Sequence, residues 1–121
     1  MSCKVEYDDA RNYFCPRNFS LRLAKCPRTQ LPVSYCDIGD PEGIPVLNIV
    51  PSACSRWVAA IQDPLCRLYG IRMIAIDRPG CGVTPAVPIS QRIQLSAQMA
   101  VSVLEHIGVK PRHILVTSAG I

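Results

Sequence analysis

Apolar and polar residues recur along this chain with two periods, and the switching between them predicts an alternating series of strands and helices. Residues 31–38 alternate with the period of two expected of a strand. Gly39, Asp40, Pro41, Glu42 and Gly43 follow as turn chemistry, because proline presets one φ angle and glycine tolerates a positive one. Residues 44–50 form a nearly continuous apolar run, the pattern of a strand covered on both faces. Over 56–69 the period becomes helical, with Trp57, Ile61, Leu65 and Leu68 on one stripe. Pro64 interrupts that stripe, and Asp63 is placed to cap a second turn, so the spacing predicts a kinked or broken helix. Residues 71–76 read as a second buried strand.

A second helix is predicted from Ser90, with Leu95, Met99, Val103, Leu104 and Ile107 facing inward and Gly108 ending it as a C′ glycine. Residues 113–116 are the last strand. The succession βαβαβ predicts an α/β fold with a largely parallel sheet and right-handed crossovers. Residues 1–30 are polar and poorly periodic, with room for one edge strand over 19–23. They are read as an N-terminal extension to a partial domain over 31–121.

Composition narrows the class. With 121 residues the chain holds one domain at most, 49% of it is hydrophobic, and only 18% is charged, which describes a packed chain rather than a disordered one. The net charge of +4 comes from arginines scattered over the whole length, not from the clustered patch of a nucleic-acid binder, so no nucleic-acid partner is expected. No apolar run is long enough to cross a bilayer, and no secretory signal opens the chain, which makes a cytoplasmic location the expectation. Seven cysteines lie about ten to eighteen residues apart without a C-x-x-C pair, so they are read as reduced, small apolar residues rather than metal ligands or disulfides.

Two segments carry candidate chemistry. Asp77, Arg78, Pro79, Gly80, Cys81 and Gly82 follow directly on a predicted strand. A dinucleotide loop would need a third glycine and an immediate helix. Pro85 and Pro88 forbid that helix, so the segment is read as a tight loop whose backbone N–H groups donate to Asp77, and no cofactor is expected. The second segment is Thr117-Ser118-Ala119-Gly120 after the last strand. A strand running into a small-residue turn is the setting in which a serine hydroxyl is lifted off a sheet as a nucleophile.

Taken together, these residues resemble the α/β-hydrolase superfamily, and in particular its uncharacterised fungal members. The run Tyr35-Cys36-Asp37-Ile38-Gly39-Asp40-Pro41-Glu42-Gly43 is similar to the family's Y-x-D-x-G-D-P-x-G hairpin. The run Asp77-Arg78-Pro79-Gly80-Cys81-Gly82 is similar to its D-R-P-G-x-G loop, and Thr117 to Gly120 resembles its nucleophile elbow. The resemblance implies an esterase-like acyl hydrolase acting on a small ester or acyl substrate. Ser118 would be the nucleophile, with the backbone N–H groups of Ala119 and Ser52 as the oxyanion hole. Two positions depart from the family pattern: Val50-Pro51 stands where His-Gly is usual, and Val116 where the elbow has its first glycine.

In that family the acid and the histidine of the triad follow the serine. Here His106 and His113 both precede Ser118. The chain therefore reads as the N-terminal half of a serine hydrolase, inactive alone. A non-catalytic binding protein on the same scaffold, or a gene-model fragment without independent activity, is the alternative.

Overall fold

The computed structural model describes residues 22–117. Five strands form one sheet: β1 Arg22–Lys25, β2 Pro32–Gly39, β3 Ile44–Ile49, β4 Ile71–Ile76 and β5 His113–Val116. Their spatial order is β1-β2-β4-β3-β5. β2 is antiparallel to both β1 and β4, whereas β3 is parallel to β4 and β5, so four strands share one direction and β2 opposes them. This is an α/β fold with a largely parallel sheet.

β2 and β3 are consecutive but not paired, because β4 lies between them. The Asp40–Gly43 turn is thus not a hairpin. It crosses the start of β4, with the Asp40 N–H donating to the Ile71 carbonyl at 2.9 Å and the Ile44 N–H to the Gly70 carbonyl at 2.8 Å. The turn itself is closed by the Asp40 carboxylate, which accepts the Glu42 N–H at 2.9 Å. Of the edge strand expected over 19–23, β1 covers Arg22 onward and extends to Lys25; 19–21 lie outside the described residues.

The helical stretch between β3 and β4 is broken into α1 Trp57–Ala60 and α2 Asp63–Leu68. The break changes the helical phase. Ile61 and Leu65, expected on the inner stripe, are exposed, and Ala59, Ala60 and Cys66 are buried instead. Asp63 is the first helical residue rather than the cap, which is Gln62. The Asp63 carboxylate is used elsewhere: it accepts the Gly39 N–H at 2.8 Å and pairs with Arg67 one turn on.

The third helix, α3, runs over Arg92–Ile107 after a short 3-10 turn at Ile89–Gln91. Its inner face buries Met99 and Val103, with Leu104 and Ile107 packed at the margin, and Gly108 takes the left-handed conformation (φ 69°) that closes the helix.

The two helical layers explain the strand patterns. Cys36 and Ile38 of β2 and Met73 and Ala75 of β4 meet Ala59, Ala60 and Cys66 on one face. Their alternate neighbours Val33, Tyr35, Ile74 and Ile76 meet Met99 and Val103 on the other. Each large apolar side chain removed from water in this way contributes about 1.5–3 kcal/mol. Among the described residues no helix is long and apolar enough to cross a membrane.

Candidate functional site

The strand order places a crevice at one end of the sheet. From β3 the chain passes to β4 on one side, and from β4 it crosses over β3 to β5 on the other. Ligands of open α/β sheets bind outside the carboxyl ends of the strands where the order reverses in this way. A cavity of about 440 Å³ lies there, walled by the ends of β3 and β4, the turn after β3, the loop after β4 and the first turns of α3.

The turn after β3 is tight. The Cys54 N–H donates to the Pro51 carbonyl at 3.1 Å, and Ala53 adopts a left-handed backbone (φ 61°). That conformation costs a residue with a Cβ about 1–2 kcal/mol. Ser52 and Ala53 both line the cavity, and their N–H groups find no acceptor among the described residues. Pro51 contributes no N–H, so Ser52 is the first residue after Val50 able to donate one.

The loop after β4 is built around a buried ion pair. Asp77 is wholly buried, and its Oδ2 receives the Arg56 guanidinium at 2.6 Å and the Ser34 hydroxyl at 2.5 Å. Its Oδ1 receives the backbone N–H of Arg56. Ser34 in turn accepts the Val83 N–H at 3.1 Å and donates its own N–H to the Thr84 hydroxyl at 3.0 Å. The expectation that Asp77 binds its own loop's N–H groups is therefore corrected: the carboxylate holds Arg56 and Ser34, and the loop is tied to it through Ser34. The reason is charge, since a carboxylate taken out of water needs a cation as well as hydrogen bonds. Gly82 lies directly against this group; a Cβ there would collide with Asp77 Oδ2. Two further arginines bind the cavity walls together. Arg78 donates to the Val50 carbonyl at 2.7 Å and Arg92 to the Pro79 carbonyl at 3.0 Å.

Asp77 was legible as a hydrogen-bonding residue directly after a strand, but its partners were not. Any of thirteen lysines and arginines could have neutralised it, and Arg56 is named only by the packing of β2, β4 and the segment before α1. The Arg56 guanidinium also stands over the Trp57 ring, 5.4 Å from its centre, which an i, i+1 pair does not announce.

β5 runs parallel to β3, with Val116 opposite Ile49 at the cavity end of the sheet. Ser118 and Ala119 lie outside the described residues. Neither histidine borders the cavity. His106 sits in the last turn of α3 with its ring edge-on to Tyr35 at 6.5 Å, and His113 begins β5 opposite Val46.

Five cysteines are free among the described residues, three of them buried. Burial pushes the Cys36 thiol up to about 12. Cys26 goes the other way. Burial raises it, but the hydroxyls of Ser102 and Thr29 and the N–H groups of Thr29 and Arg28 together outweigh burial and lower it to about 7. Among the described residues no three His, Cys, Asp or Glu side chains come together as a metal site would require.

Solved structures that superpose on this chain include epoxide hydrolases and an esterase. An epoxide hydrolase from Vigna radiata matches with a TM-score of 0.71 at 20% identity, over 86% of this chain and 32% of its own. Epoxide hydrolase A from Mycobacterium thermoresistibile matches with a TM-score of 0.67 at 17% identity, over 81% of this chain and 31% of its own. An esterase from Exiguobacterium antarcticum matches with a TM-score of 0.63 at 17% identity, over 78% of this chain and 33% of its own.

The fold is that of the α/β-hydrolases. The chain spans about a third of the length of these structures. At such low identity the likeness speaks for the fold alone. No family model matches the chain, and no curated protein sequence does.

Proposed function

We propose that this chain carries the nucleophile half of an α/β-hydrolase-fold acyl hydrolase, with Ser118 as the nucleophile and the N–H groups of Ala119 and Ser52 as the oxyanion hole. Residues 31–121 form the partial hydrolase domain, and residues 1–30 precede it as an extension. One observation carries the reading: β5, the strand that leads into Ser118, ends beside β3 at the same end of the sheet as the cavity and the Pro51–Cys54 turn. A serine there suits attack on an ester carbonyl, with the developing oxyanion received by backbone donors.

The hydroxyl also needs a base, and both histidines of this chain precede it. The 121-residue chain therefore turns over no substrate alone. A fluorophosphonate probe tests this. Ser118 should label efficiently only in a form continuing past Ile121 with an acid and a histidine, and efficient labelling of the 121-residue chain would sink the proposal. The second reading, a binding protein on the same scaffold, is favoured by Pro51 and Val116. A continuation lacking both an acid and a histidine would support it.

A further inference from the structure

The cavity at the carboxyl ends of β3 and β4 has an unbalanced charge. Its one acid among the described residues, Asp77, is neutralised by Arg56 behind the wall. Arg78 and Arg92 also line it, and neither has a carboxylate partner among the described residues, unlike Arg56, Arg67 and Arg72. Arg92 moreover stands in the first turn of α3, where the helix dipole disfavours a cation and no acid compensates it.

Both guanidinium groups are held in place by carbonyls, Arg78 by Val50 and Arg92 by Pro79, and each of these bonds occupies one of five N–H donors. The donors that remain can take a planar, bidentate anion. Ile49 and Ile76 at the strand ends also line it, together with Ile93 of α3, which is 90% exposed.

We infer that this cavity takes an aliphatic carboxylate, its anionic end on Arg78 and Arg92 and its hydrocarbon along the isoleucines. The inference rests on the acyl-hydrolase reading for its catalytic meaning, where it names the substrate class as acyl compounds bearing a second, free carboxylate. The binding itself does not depend on Ser118. A planar carboxylate suits the guanidinium fork, and the isoleucines at the strand ends suit its hydrocarbon.

Titration of the isotopically labelled 121-residue chain with hexanoate, followed by amide NMR, tests this. Saturable shifts at Ser52, Ala53, Cys81 and Ser96 are expected, with none from methyl hexanoate at the same concentration. Arg92→Gln should weaken hexanoate at least about tenfold, the loss of one charge-assisted pair. Arg92→Lys should weaken it less than Arg92→Gln, because it keeps the charge and loses the planar fork. If Arg92→Gln fails to fold, the salt dependence of the parent chain replaces it: binding must weaken as ionic strength rises.

Equal shifts from the neutral ester, no saturable shift, or salt-independent binding would each overturn the inference. Its failure and that of the hydrolase reading are separable. Hexanoate binding without Ser118 labelling in the extended form leaves a carboxylate-binding cavity, and labelling without hexanoate binding leaves a hydrolase of other specificity.

Discussion

The two sides of the sheet are built differently. β2 and β4 are covered on both faces, by α1 and α2 on one and α3 on the other, and Ile74, Ala75 and Val33 within them are wholly buried. At the other side, β5 pairs with β3 alone among the described residues, and all four of its residues are exposed, Ile114 at 61%. Apolar strands of similar composition thus have opposite roles. One pair forms the core that defines the fold, and the outer strand has one edge that no described residue pairs with. The Asp77 loop, tied down by the buried ion pair, forms one wall of the cavity.

The largest effect is expected in the packed region. Asp77→Ala would leave the Arg56 guanidinium buried without its counter-charge and free the Ser34 hydroxyl. Breaking a buried pair from one side costs about 3–5 kcal/mol, which urea denaturation should read as a large drop in midpoint or as failure to fold. A loss below about 1 kcal/mol would show that the two regions are closer in stability than their packing implies.

Gly82→Ala comes next. It adds a methyl against Asp77 at a backbone φ of 54°, and a cost of about 1–3 kcal/mol is expected from the same measurement.

A pH series probes the packed region through its thiols. Cys26 falls from its ordinary value of 9.0 to about 7 on folding, so the folded chain gives up this proton before the unfolded chain does. Its contribution to stability is fully present above pH 9 and is lost as pH falls through 7. Cys36 has the opposite sign: held up at about 12, it costs stability as pH rises above 9, where the unfolded thiol ionises first. Urea midpoints should rise from pH 7 to 9, and Cys26→Ala should flatten that rise.

The smallest effect on stability belongs to β5. Leu115 is 40% exposed, and Leu115→Lys should change the unfolding free energy by no more than about 0.5 kcal/mol. It should, however, reduce any self-association seen in sedimentation, because a charge on an edge strand opposes pairing with a second chain. Self-association that persists unchanged in the variant would mean that β5 is not where copies meet.

Much of the local structure was legible. Residues 71–76 and 113–116 are strands over the spans their patterns predict, and α3 carries Met99 and Val103 inward as its period requires. The stripe over 56–69 was not. Pro64 indicated a break, but the phase of each half follows from where α1 and α2 meet β2 and β4, which moves Ile61 and Leu65 outward. The apparent hairpin failed for a related reason, since a turn motif says how the chain reverses and not which strand fills the space beside it. At the site, Ser52 was legible as a residue of the turn after β3. The arginines that line the cavity carried no local mark beyond their charge.

By itself the sequence determined the elements, their order and the α/β class, because strand and helix periods arise from contacts within a few residues. Only the tertiary structure decided that β4 separates β2 from β3, that Arg56 is the cation for Asp77, and that Arg78 and Arg92 share one cavity. Those facts join residues far apart in the chain. Their energies come from desolvation and pairing, which no local pattern encodes.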